Sequence, residues 1–139
     1  MSEVCVDASF VLKVVLPEPG SERVRAKWAS WIHDGVVVIA PWLWMFETHS
    51  VLRRKSARHE MTDPEARDAW RILHRQGIRT VHPRGLFDRA WVLATELGRS
   101  NTYDAIYVAA AELRKCELWT ADYRLANAAR RRLGWVQKV

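Results

Sequence analysis

Short apolar runs, largely β-branched, recur along this chain and are separated by longer stretches that mix apolar and polar positions. Five of the runs, at residues 4–6, 36–39, 78–81, 118–120 and from Val136 onward, predict strands. The mixed stretches predict helices over about residues 10–16, 21–34, 43–57, 86–97, 102–115 and 123–133, with one more starting at Thr62. Gly35, Gly77, Gly98 and Gly134 each follow a helix-like stretch, where a left-handed residue closes a helix C-terminus. Ser21 marks one helix start. Thr62-Asp63-Pro64-Glu65 marks another, with an N-cap, a proline in the first turn and an acid three residues on. Strands alternating with helices imply right-handed crossovers, and hence a parallel sheet covered by helices on both faces. The turn Pro17-Glu18-Pro19-Gly20 is the one strong break. With 139 residues and no linker, repeat or low-complexity tract, the expectation is a single domain over residues 1–139.

Charge adds a class of partner. There are 22 Lys and Arg, mostly Arg, against 16 Asp and Glu, which gives +6 and a pI near 9.8. Arginine pairs bidentately with phosphate and a positive surface attracts polyanions, so the balance suits nucleic acid. Charge alone supports an ordinary solvated surface equally well. No stretch approaches the ~20 apolar residues of a transmembrane helix, and the run at residues 4–6 is too short for a signal peptide. The expected location is therefore cytoplasmic, with no membrane partner. Cys5 and Cys116 fall in predicted strands without zinc-site spacing; buried, unbridged thiols are expected even if their strands are neighbours.

Against this basic background four acids stand out by position. Asp7 ends the first strand in Val6-Asp7-Ala8-Ser9, and Asp122 follows the fourth in Leu118-Trp119-Thr120-Ala121-Asp122. Open parallel sheets bind ligands at the carboxyl ends of their strands. Each acid is also suited to cap the helix that follows, and taken singly the capping role is favoured. Glu47 sits in the apolar, aromatic stretch Pro41-Trp42-Leu43-Trp44-Met45-Phe46-Glu47. A buried, unpartnered carboxylate there would tend to take up a proton. Asp104 lies in the first turn of the helix beginning near Thr102, where the helix dipole favours an anion. Two carboxylates about 5 Å apart repel by ~3 kcal/mol at an effective dielectric of about 20, so four in one pocket call for a cation. A hard ion such as Mg²⁺ or Mn²⁺, with its preference for oxygen, meets that need.

In order and spacing, Val6-Asp7-Ala8-Ser9, Pro41 to Glu47, Thr102-Tyr103-Asp104-Ala105-Ile106-Tyr107-Val108-Ala109-Ala110-Ala111-Glu112 and Leu118 to Asp122 resemble the acidic motifs of PIN-domain nucleases, over nearly the whole chain. Within that superfamily, the short chain, the turn Pro17-Glu18-Pro19-Gly20-Ser21-Glu22 and the Tyr103-Asp104-Ala105 motif resemble VapC-type ribonuclease toxins. The resemblance implies a PIN-like three-layer α/β/α fold with a five-stranded parallel sheet. It implies Mg²⁺ or Mn²⁺ as cofactor, with Asp7 and Asp104 binding the metal directly and Glu47 contributing directly or through water. It also implies that Asp122 completes the acidic pocket and that Thr120 orients that last acid. The implied reaction is hydrolysis of an RNA phosphodiester: water displaces the 3′ oxygen in line and leaves 5′-phosphate and 3′-hydroxyl ends, with no side-chain nucleophile. A homodimer, and a small antitoxin whose C-terminal segment lies in a groove near the acids, are implied as partners. Two other readings of the same motifs are a PIN ribonuclease of RNA maturation or decay without an antitoxin, and a non-catalytic RNA-binding scaffold of this fold.

The remaining features are less specific. Arg53, Arg54, Lys55 and Arg58 follow Glu47, and Arg130, Arg131 and Arg132 form a second basic run. Both are candidates to track an RNA backbone, although an Arg-rich helix is most often a solvated face. Lys13 is a further phosphate candidate. Eight tryptophans are many for this length; Trp28, Trp31, Trp70, Trp91 and Trp119 fall at core-compatible positions. Trp42 and Trp44 are two apart and do not easily both face inward, so one is expected to be exposed for a protein partner or for stacking on a base. The five histidines lack metal-binding spacing, and His49 points away from Glu47 on its helix. A nucleophile elbow, a P-loop and a dinucleotide fingerprint are absent.

Overall fold

The first strand, β1 (Glu3–Val6), runs through the middle of a five-stranded sheet. The computed structural model describes residues 2–130 and 133–139. On one side of β1 lies β2 (Val37–Pro41), with Cys5 opposite Ile39, and beyond it β3 (Arg79–Val81). On the other side lies β4 (Glu117–Thr120), with Cys5 opposite Leu118, and then β5 (Val136–Lys138). The order is β3-β2-β1-β4-β5 and every pairing is parallel. The chain thus builds outward from β1 to β3, then returns to the opposite side of β1. That reversal opens a crevice at the carboxyl ends of β1 and β4, the position at which such sheets bind ligands.

Helices α1 (Ala8–Val15), α2 (Ser21–His33), α3 (Leu43–Ala57) and α4 (Asp63–His74) pack on one another. Helix α5 (Leu86–Glu96) packs on α6 (Tyr103–Arg114), which lies against β1, β2 and β4. The last helix, α7 (Tyr123–Arg130), rests on β4 and β5. The α/β fold with a five-stranded parallel sheet expected from the pattern is the fold observed. Thr62 caps α4 by accepting the Glu65 N–H at 3.2 Å.

Packing explains why these segments hold their places. All residues from Ala105 to Ala111 are buried, and four of the seven are alanine, so α6 lies close to the sheet without large side chains in the way. Phe10, Trp28, Trp31 and Trp119 form an aromatic cluster joining α1, α2 and β4, with ring centroids 5.4 Å apart for Phe10–Trp31 and 5.6 Å for Trp31–Trp119. Each such pair adds about 0.5–1.5 kcal/mol beyond area burial.

Three expectations need correction. Trp91 is 72% exposed, because α5 buries Leu86, Ala90, Leu93 and Ala94 and turns Trp91 the other way. Gly134 has an ordinary φ: the residue before it, Leu133, is already outside the helix, so Gly134 is not a helix-closing position. The left-handed glycines are Gly35, Gly77 and Gly98, together with Gly20 and Gly85 just before α2 and α5. Cys116 falls one residue ahead of β4 rather than inside it. Both thiols are free, and burial pushes Cys5 well up and Cys116 to about 11, which keeps them protonated and inert. Among the described residues no helix is long and apolar enough to cross a membrane.

Candidate metal centre

Asp7 is the first residue past β1, and its carboxylate is held by three donors. Oδ1 accepts the Phe10 N–H at 3.0 Å, which caps α1, and the Ser9 hydroxyl at 2.7 Å. Oδ2 accepts from the Thr120 hydroxyl, which comes from the end of the adjacent strand β4. Thr120 Oγ1 in turn accepts the Asp122 N–H at 2.9 Å, and Ser9 Oγ accepts the Ala121 N–H at 3.0 Å. The two strand ends are thereby tied into one polar knot. Asp122 Oδ1 accepts the Arg124 N–H at 2.9 Å and the Leu125 N–H at 3.3 Å at the start of α7. Capping and pocket formation are therefore compatible, and both aspartates do the first while standing at the crevice.

The other two acids come from helices on either side. Glu47 reaches from α3, and its Oε1 accepts the Tyr107 hydroxyl of α6 at 2.6 Å. Asp104 is three residues before Tyr107, so both project from one side of α6. Arg99, from the loop ahead of α6, places Nε 3.9 Å from Asp104 Oδ2, and that buried Nε makes no hydrogen bond.

The electrostatics link the four. Burial, helped by the Asp104 charge, raises the Asp7 carboxyl to about 6 against the lowering effect of Thr120, Phe10 and Ser9. Burial also raises Glu47, opposed by the Tyr107 hydrogen bond and reinforced by Asp104. Asp104 is raised by burial, lowered by Arg99 and raised by Asp122. Asp104 thus interacts with each of the other three acids. The side chains nevertheless stand apart: among the described residues no three of Asp, Glu, His and Cys are arranged to hold one ion. The expectation that all four already converge on a common ion is not met as the side chains lie. Uncompensated carboxylates gain by separating, and Thr120, Tyr107, Arg99 and the α7 N-terminus each draw one aside. The donor set itself is all hard oxygen. Its mutually repelling charges, that of Asp7 buried and the other three partly so, are the kind that a hard divalent cation relieves, so the residues fit Mg²⁺ or Mn²⁺ in chemistry.

A family model described as PIN domain matches residues 4–131. This chain belongs to the PIN-domain family. VapC ribonuclease Mb0985 of Mycobacterium bovis and Ribonuclease VapC9 of Mycobacterium tuberculosis are each 33% identical to it over 124 residues, 89% of this chain and 89% of either relative. It is thus a PIN domain of the VapC type. Two solved structures share its fold, each with a TM-score of 0.69. PAE2754 from Pyrobaculum aerophilum is 23% identical and covers 99% of this chain and 84% of its own. Mycobacterium tuberculosis VapC20, described as a Sarcin-Ricin loop cleaving toxin, is 20% identical and covers 90% and 94%.

In this PIN domain three residues that meet the candidate acids were not singled out from the sequence. Ser9 lies within the first motif, two residues after Asp7, and Tyr107 follows Asp104 by about one helical turn, so spacing carried a signal for both. Arg99 sits in a loop and left no pattern. Other candidates have local partners. Lys13 donates to the Pro19 carbonyl at 2.8 Å and lies 3.6 Å from Glu18, which fastens the turn before α2. Lys55 pairs with Glu60 at 3.5 Å. Arg53 lines a groove between α3 and α4 with His49 and Trp70, whose rings are 4.8 Å apart. Arg130 donates to the Val136 carbonyl at 3.1 Å, while Arg131 and Arg132 lie outside the described residues.

The Tyr107–Glu47 bond gives a direct test. In a Tyr107→Phe protein the ring stays packed and Glu47 loses its tether. RNA cleavage is expected to fall about ten-fold, as for a lost outer partner of a metal-site ligand. An unchanged cleavage rate in a folded variant contradicts this role for Tyr107.

Proposed function

We propose that this PIN domain is a divalent-metal-dependent endoribonuclease and the toxin of a type II toxin and antitoxin pair. It acts in the cytoplasm as a homodimer and is silenced by a small antitoxin protein. One set of observations supports the reading: Asp7 and Asp122 stand by the carboxyl ends of β1 and β4, tied through Thr120, Tyr107 of α6 holds Glu47 of α3 one turn from Asp104, and the chain's relatives are named VapC ribonucleases.

Asp7 and Asp104 are the residues to hold the ion, with Glu47 beside them and Asp122 completing the acidic wall. When bound, Mg²⁺ or Mn²⁺ supplies charge neutralisation and makes water a better nucleophile at neutral pH. The chain's own groups do the rest. Thr120 and Ser9 fix the direction of the Asp7 carboxylate, and Tyr107 holds Glu47 across the crevice. Glu47, raised above the usual carboxylate range, is suited to take the proton of the attacking water. The water oxygen forms a bond to phosphorus as the bond to the 3′ oxygen breaks, and the departing oxygen takes a proton from solvent, leaving 5′-phosphate and 3′-hydroxyl ends.

The test is incubation of the purified chain with structured RNA. Cutting is expected with Mn²⁺ or Mg²⁺ and none with EDTA. Induction in cells should halt growth unless a small neighbouring gene is expressed with it. Cutting that persists in EDTA contradicts the metal role; unimpeded growth contradicts the toxin role.

A further inference from the structure

We infer that Arg99 is a substrate-binding residue of this site: its guanidinium, held beside Asp104 by charge and not by a hydrogen bond, is the group that takes a non-bridging oxygen of the scissile phosphate. The inference rests on the nuclease reading and adds a residue to it.

The backbone at Arg99 is fixed by the helix before it. Gly98, at φ 66°, closes α5; its N–H donates to the Thr95 carbonyl at 3.2 Å and the Arg99 N–H donates to the Ala94 carbonyl at 2.9 Å, the paired bonds of a Schellman closure. The side chain is held more loosely. Nε lies 3.9 Å from Asp104 Oδ2, an ion-pair distance but too long for a hydrogen bond. Although the side chain as a whole is 27% exposed, this nitrogen is buried and has no acceptor. A buried N–H without a partner is unfavourable, and the arginines that brace this fold avoid it. Arg89 closes its fork on Glu112, with Nε 2.5 Å from Oε1 and Nη2 3.1 Å from Oε2, and Arg114 donates to both carboxylate oxygens of Glu3. Arg99 keeps a donor unspent beside the acids.

Charge indicates what that donor is for. Glu47 and Asp104 each feel a neighbouring carboxylate, and among the described residues Arg99 is the one cation that acts on either. For binding an ion its position is a handicap, because a positive charge 3.9 Å from an Asp104 oxygen opposes a second cation at that carboxylate. For binding a phosphodiester it is an advantage. The polyanion has to approach carboxylates that repel it, and a planar guanidinium at their edge offers paired N–H donors to phosphate oxygens. The same donors stabilise charge that grows on those oxygens as water attacks. Lys13 and Lys55, the basic candidates with measured partners, are engaged locally with Pro19, Glu18 and Glu60.

The test has two readouts that move in opposite directions. Arg99→Gln is first titrated with Mn²⁺ in a calorimeter without RNA, where loss of the competing charge should tighten binding about five-fold. The same protein in saturating Mn²⁺ should cut RNA about ten-fold more slowly, as expected when one charge-assisted contact to phosphate is lost. Arg99→Lys keeps the charge without the planar fork, so it should bind Mn²⁺ as the parent does and cut about three-fold more slowly. Melting curves check that each variant is folded. An arginine that only braced its loop would give no rise in Mn²⁺ affinity on removal. A Gln variant without that rise, or one that cuts at the parent rate, therefore overturns the inference. A parent chain that binds Mn²⁺ but cuts no RNA removes the nuclease reading and this inference with it; a parent that cuts while Arg99→Gln cuts equally well removes this inference alone.

Discussion

An Asp7→Asn protein should lose RNA cleavage by about a thousand-fold or more and yet, free of metal at pH 7.5, melt at a higher temperature than the parent chain. The first half follows from removing a charge from the oxygen set proposed to hold the ion. The second follows from the cost of ionising Asp7 in place. Its carboxyl is raised to about 6 by burial, from an ordinary value near 3.8. The folded state therefore prefers the protonated form. This group's contribution is most favourable below pH 4, declines as pH rises through 6, and is then constant. The full loss is about 3 kcal/mol, an order-of-magnitude figure. Asparagine escapes that loss while its Oδ1 still accepts the Phe10 N–H to cap α1; the Thr120 hydroxyl loses Oδ2 as acceptor and is left with Ser9 Oγ 3.2 Å away, at a cost of about 1 kcal/mol. A net gain of about 1–2 kcal/mol corresponds to roughly 3–7 °C in a domain of this size. Melting curves from pH 4 to 8 check the sign: the two proteins should converge at the acid end. An Asp7→Asn protein less stable than the parent at every pH contradicts the assigned cause.

Thr120→Val should be the most damaging substitution that leaves all four acids in place. The fully buried hydroxyl donates to Asp7 Oδ2 and accepts the Asp122 N–H, and it lies 3.2 Å from Ser9 Oγ. Valine has nearly the same shape but leaves an amide and a carboxylate oxygen each short of a partner. Each buried orphan costs about 1–3 kcal/mol, so a destabilisation of about 2–4 kcal/mol is expected. Cleavage should fall about 10–100-fold, the range for outer partners of metal ligands. Thr120→Ser keeps the hydroxyl and should recover most of the activity. That rescue separates a positioning role from simple packing, since serine also removes a buried methyl. Valine and serine variants of equal activity would dismiss the hydroxyl's role.

Much of this architecture was legible because it rests on local rules. The strand runs, the cap at Thr62 and the glycines at positions 35, 77 and 98 each carry their own signal. The inward or outward choice for Trp42 and Trp44 was also readable as a conflict, and the chain settles it with Trp44 buried. Trp91 was misjudged because a large apolar residue does not report which side of a helix meets the core. The four acids were readable by motif as candidates, but their mutual positions were not. Those depend on side-chain partners from distant segments, as with Tyr107 on Glu47 and Arg99 near Asp104. Arg99 shows the limit most clearly, since its place is set by the path of a loop.

Calorimetric titration of Mn²⁺ into the parent chain and into Asp104→Asn at pH 7.5 tests the central claim most directly. Asp104 is the acid that interacts with the other three, so its loss should weaken binding at least about ten-fold while the fold survives. The account predicts saturable binding in the parent and little in the variant. A parent chain that takes up no Mn²⁺, or a variant that binds it equally well, contradicts the proposal that these carboxylates form a metal centre.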